Sequence, residues 1–96
     1  HCHIGSQILD TSPFIEATEK MMDLVEEVSG IGIELKFVDI GSGLGIPYEK
    51  GEPVPTPGDL ADAVLPVFNK RIRALGISPK LILEPGRYII GDTPVL

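Results

Sequence analysis

An α/β fold built on a parallel sheet is the class this sequence predicts, and three observations predict it. Short β-prone runs alternate with two longer stretches of helical periodicity, in the order β-α-β-α-β. Each of these runs is halted by glycine or proline. The chemically unusual residues fall just after a strand each time, and in a parallel α/β fold the carboxyl ends of the strands share one ligand-binding edge.

The elements follow in order. Residues 1–6 read as the tail of a strand that ends at Gly5-Ser6. Thr11-Ser12-Pro13 then offers a hydroxyl cap followed by proline at the first helical position. Phe14, Ala17, Met21, Leu24, Val25 and Val28 recur at spacings of three and four, which makes one apolar helical face that Ser29-Gly30 closes. Such a stripe reads as core. Leu35 to Ile40 is a β-prone run halted by Gly41-Ser42-Gly43-Leu44-Gly45. Pro47, Pro53, Pro55 and Pro57 make 46–58 a loop. Thr56-Pro57-Gly58-Asp59 repeats the helix-start pattern. Leu60, Val64, Val67, Phe68, Ile72 and Leu75 then share a face, Gly76 ends the helix, and Pro66 predicts a kink or local irregularity. A third strand, Lys80 to Leu83, leads into Glu84-Pro85-Gly86-Arg87.

Three strands and two helices cannot bury both faces of such a sheet, and a complete eight-stranded (β/α)8 barrel takes about 250 residues. The 96 residues are therefore expected to form a partial barrel domain over 1–96, about its last third. The chain opens on His1-Cys2-His3-Ile4, read as a strand under way. It closes on Thr93-Pro94-Val95-Leu96, read as extended, so the expectation is a segment of a larger protein.

Composition excludes several classes. A net charge of −6 disfavours a nucleic-acid surface, which must be basic. No apolar run nears the roughly 20 residues of a membrane span. A single cysteine, Cys2, cannot form an internal disulfide, which suits a reducing cytoplasm.

Within the three post-strand stretches, the glycine run lets a backbone approach a ligand and aim N–H groups at an anion. It is neither a dinucleotide fingerprint, which would need glycine at Ile46, nor a Walker loop, which would need a following Gly-Lys-Ser/Thr. A plain strand-end turn is the competing reading. In Glu84-Pro85-Gly86-Arg87 a rigid corner separates opposite charges. The acid could accept from a protonated ring nitrogen, and the arginine could grip a carboxylate or phosphate with two bonds. An ion pair bracing the turn is the alternative. His1 and His3 share a strand face but find no third ligand at a recognised spacing, so no metal is expected. His3 could instead lay its ring on a planar cofactor, and Ser6 could donate to a phosphate oxygen.

These stretches, HCHIGSQI, VDIGSGLGIPY and EPGRYIIGD, resemble in sequence and order the pyridoxal-phosphate-dependent decarboxylases of the alanine-racemase-like barrel type. The similarity runs through essentially the whole chain. It implies a TIM-type barrel and pyridoxal 5'-phosphate as cofactor. By resemblance His3 would stack on the pyridine ring and Ser6 would lie near the phosphate. Gly41, Ser42 and Gly43 would cradle the phosphate, helped by Gly86, with Pro85 fixing the corner. Glu84 would bond the protonated pyridine nitrogen. Arg87 would bind a substrate carboxylate or the phosphate.

The family usually has three glycines where this chain has Gly41-Ser42-Gly43. A positive φ at 42 would strain serine by roughly 1–2 kcal/mol, whereas a role for the N–H alone would tolerate it. Lys20, Lys36, Lys50, Lys70 and Lys80 do not match the Schiff-base lysine, which lies upstream, so the segment holds no catalytic residue of its own and is expected to be inactive alone. The implied reaction is decarboxylation of meso-diaminopimelate to L-lysine in a cytoplasmic homodimer. An ornithine- or arginine-type decarboxylase and a non-catalytic regulatory homologue are the alternatives.

Overall fold

The computed structural model describes residues 1–91, and the extended stretch expected at 93–96 lies outside them. Its elements are α1 (Ser12–Gly30), β1 (Phe37–Asp39), α2 (Pro57–Leu75), β2 (Lys80–Ile82) and α3 (Gly86–Ile90). The strands β1 and β2 pair in parallel, with Val38 opposite Leu81, and α2 makes the crossover between them. The α/β class with a parallel sheet is therefore present. The order of elements differs from the expected one at both ends.

At the start, no ladder forms over 1–6. The Cys2 N–H does donate to Asp39 O at 3.0 Å, which lays this segment beside β1. A parallel ladder would next need the Gly41 N–H to donate to Cys2. That N–H donates instead to the Asp39 carboxylate at 2.8 Å, so the pairing stops after one bond. It resumes as a bridge between Ile8 and Leu44. At the other end, Pro85-Gly86 is not a bare corner: Pro85 caps the short helix α3.

The start of α1 is also held differently. Thr11 makes no side-chain cap. The Asp10 carboxylate accepts from Ser12 N–H at 3.1 Å and Ser12 Oγ at 2.9 Å, and these bonds hold its pKa below the usual aspartate value. At α2 the expected capping box is present, with Thr56 Oγ1 accepting from Asp59 N–H and Asp59 accepting from Thr56 N–H. The helix runs unbroken through Pro66 and ends at Gly76 in the left-handed region.

The core lies between α1, α2 and the sheet. It contains Phe14, Met22 and Val25 from α1, Val38 and Ile40 around β1, and Leu60, Val64 and Phe68 from α2. The buried face of α1 is rotated from the expected stripe. Leu24 is 54% exposed while Met22 and Thr18 are fully buried. Thr18 is tolerated there because its hydroxyl donates to Phe14 O at 2.7 Å. On the outer side, Arg71 of α2 meets Glu19, Asp23 and Glu26 of α1.

Met22 is the side chain that a cavity should reveal most clearly. In the intact protein, Met22→Ala should lower unfolding stability by about 2–5 kcal/mol in a denaturant titration. A loss below about 0.5 kcal/mol would place Met22 outside the core.

Candidate functional site

The two chains stay hydrogen-bonded beyond the ladder. Ile40 N–H donates to Ile82 O at 3.2 Å in register, and Glu84 N–H donates to Gly41 O at 2.7 Å, one residue past the Ile40 carbonyl that a regular ladder would use. The glycine run and the acid therefore leave the sheet side by side. The stretch at 3–9 is zipped to the far side of the glycine run. Ile8 N–H donates to Gly43 O at 2.7 Å, and Gly45 N–H donates to Ile8 O at 2.9 Å. The Gln7 side chain clamps Ile46 twice, donating to its carbonyl at 2.6 Å and accepting from its N–H at 3.2 Å. Gln7 itself sits at φ 54, the only non-glycine at positive φ among the described residues.

Two glycines are required by this contact. Gly43 has φ 124, and a Cβ there would lie 1.8 Å from Gly5 O. Gly41 has φ 67, and its Cβ would lie 2.5 Å from Cys2 O. Ser42 between them avoids the left-handed region, so the feared strain is absent. Its side chain is buried and its hydroxyl accepts from Leu44 N–H at 3.2 Å. The serine thus serves the inside of the loop.

A pocket of about 460 Å³ results, lined by His3, Ser6, Gly43, Glu84, Pro85, Gly86 and Arg87 together with Leu44, Ile90 and Gly91. All three stretches singled out in the sequence contribute to it. Gly41 and Ser42 lie behind its wall, and the N–H groups of Gly41 and Gly86 are engaged, the latter by Glu84 O at 2.9 Å. None of the five lysines lines it. A larger hollow of about 610 Å³ between Leu9–Thr11, Pro53–Pro55 and the start of α2 carries three aspartates and no cation, and it gathers none of these residues.

The charges flanking the corner do not pair with each other, so the turn-brace reading fails. Glu84 Oε1 meets His1 Nε2 at 2.7 Å, and Arg87 Nη1 donates to Tyr48 Oη at 3.1 Å. The neighbouring Asp39 carboxyl, able to share a proton with Glu84 and of like charge, pushes the Glu84 pKa above the usual carboxylate value. His1, Asp39 and Glu84 bring one ligand atom each within 4.8 Å of one another, a group that does not include His3. No helix among the described residues is long and apolar enough to cross a membrane.

Asp39, Gln7 and Tyr48 were not singled out from the sequence. Asp39 had a readable signal, because an aspartate two residues before a glycine can accept that glycine's N–H and shape the turn. Gln7 and Tyr48 act through contacts about 40 residues apart in sequence, which no local pattern encodes.

Gly43→Ala should break the zipper, because strain of this kind costs about 1–3 kcal/mol. In the intact protein, amide exchange at Ile8 and Gly45 should quicken by about tenfold or more. Gly86→Ala, with nothing within 4 Å of its Cβ, should leave both unchanged. Equal exchange in the two variants would contradict this packing.

Residues 1–91 match the pyridoxal binding domain of the pyridoxal-dependent decarboxylases. The whole chain aligns with diaminopimelate decarboxylase of Archaeoglobus fulgidus at 57% identity, covering 23% of that protein. It aligns with that of Methanocaldococcus jannaschii at 52% identity, covering 22%. The chain thus spans less than a quarter of these curated relatives. A crystal structure of the M. jannaschii diaminopimelate decarboxylase in complex with L-lysine superposes with a TM-score of 0.83 at 54% identity, over 91% of this chain and 20% of that one. The match over nearly the full length of this sequence places the chain in the pyridoxal-dependent decarboxylase family, within its pyridoxal binding domain.

Proposed function

We propose that this chain is part of the (β/α)8 barrel of a cytoplasmic, homodimeric enzyme that converts meso-diaminopimelate to L-lysine and CO2. On this reading residues 1–96 supply a share of the pyridoxal phosphate site, and the lysine that carries the cofactor belongs to another part of the protein. The observation that carries the reading is the single pocket of about 460 Å³ shared by the three post-strand stretches. Its donor set suits the cofactor. It offers a flat imidazole, a hydroxyl, a backbone approach that no side chain can fill, an acid and a guanidinium. The raised Glu84 pKa is a further point in favour, since a cationic ring nitrogen would relieve the repulsion from Asp39.

Pyridoxal phosphate supplies the electron sink for the charge left when CO2 departs. The residues of this chain bind and orient. Glu84 would accept a hydrogen bond from the ring nitrogen through a carboxylate oxygen and so keep the proton there. His3 would cover one face of the ring. The backbone at Gly43 and the Ser6 hydroxyl would hold the phosphate. Arg87 grips an anionic group, the substrate carboxylate or the phosphate, with paired N–H donors.

Glu84→Gln tests the reading on the intact protein. The amide cannot hold the ring proton as a carboxylate does, so the cofactor should remain bound, seen by its absorbance. Lysine release from meso-diaminopimelate should fall by about a hundredfold or more. Unchanged turnover would remove Glu84 from the ring nitrogen.

A further inference from the structure

Arg87 is exposed and carried on a helix of five residues, so packing alone does not fix its long side chain. A guanidinium binds an anion well when its fork is already oriented, because less freedom is then lost on binding. The structure contains a device that orients it. Arg87 Nη1 donates to Tyr48 Oη, and Tyr48 lies in the segment that leaves the glycine run.

That segment is held at both ends. Ile46 is buried and clamped twice by the Gln7 amide. Beyond it, Glu52 accepts from Tyr48 N–H at 2.9 Å and from Glu49 N–H at 3.4 Å, while Glu52 N–H closes a turn onto Glu49 O at 3.1 Å. Pro47 stiffens the residue between. Ile46 and Arg87 also flank the same glycine: a Cβ at Gly91 would lie 2.7 Å from Ile46 Cδ1 and 2.9 Å from Arg87 Cγ.

We propose that Tyr48 is a positioning residue for Arg87: its hydroxyl engages one guanidinium nitrogen, so that the remaining N–H groups face the pocket ready for an anion. The inference rests on the reading of Arg87 as an anion-binding residue. Gln7 acts one step further back, anchoring the segment that presents the phenol. The strained φ of Gln7 is consistent with that duty, because strain persists where surrounding contacts over-determine it.

Tyr48→Phe removes the hydroxyl and keeps the ring. The test is a double-mutant cycle on the intact holoprotein with Tyr48→Phe, Arg87→Ala and both. KM and kcat are read with meso-diaminopimelate, and the dissociation constant of pyridoxal phosphate is read by titration of the apoprotein. Tyr48→Phe should raise either KM or the cofactor dissociation constant by about threefold to tenfold, with kcat within about twofold. Which constant moves identifies the anion as substrate carboxylate or cofactor phosphate. In the Arg87→Ala background the same change should be silent. An equal effect in both backgrounds would overturn the proposal. So would no effect of Tyr48→Phe where Arg87→Ala impairs binding. Normal binding by Arg87→Ala itself would overturn the anion-binding reading of Arg87, and the proposal with it.

Discussion

The parallel register between β1 and β2 is the constraint on which the site depends. Three paired residues set it, Ile40 prolongs it with one backbone bond to Ile82, and Glu84 then bonds Gly41 one residue out of step. A slip by one residue within the ladder would turn Val38 out of the core. With the register fixed, Asp39 lies beside both the Gly41 N–H and the Glu84 carboxyl. The same carboxylate that shapes the glycine turn thus also raises the pKa of the acid across from it. That shared use also explains why residues 1–6 form no ladder with β1, since Asp39 takes the N–H that a second ladder would need.

Much of this was legible in the sequence because its signals are local. The capping box at Thr56, the Gly76 stop and the apolar positions of α2 are read within a few residues of one another, and each is present. The convergence of His3, Gly43, Glu84 and Arg87 followed from one topological rule about strand ends. The failures have separate causes. The face of α1 is set by what packs on it, and the packing buries Met22 and Thr18 while leaving Leu24 outside. Asp10 rather than Thr11 holds the first turn because three polar residues in a row compete for the same N–H groups. Pro85-Gly86 gave no sign of continuing into a helix.

Ser42 illustrates how a departure from a family pattern can be absorbed. The two glycines on either side meet backbone that leaves no space for a Cβ, while position 42 points inward and has a conformation open to any residue. The serine hydroxyl accepts an internal hydrogen bond from Leu44 N–H, and Ser42 is not among the residues that line the pocket.

The central claim is that the three post-strand stretches form one cofactor site around Glu84. The most direct measurement is a crystal structure of the intact protein with pyridoxal phosphate bound. The account predicts the ring against His3, the phosphate beside Gly43 and Ser6, and the ring nitrogen about 2.7–3.0 Å from a Glu84 oxygen. A cofactor bound elsewhere, or a Glu84 still turned to His1 with the ring nitrogen unmet, would contradict it.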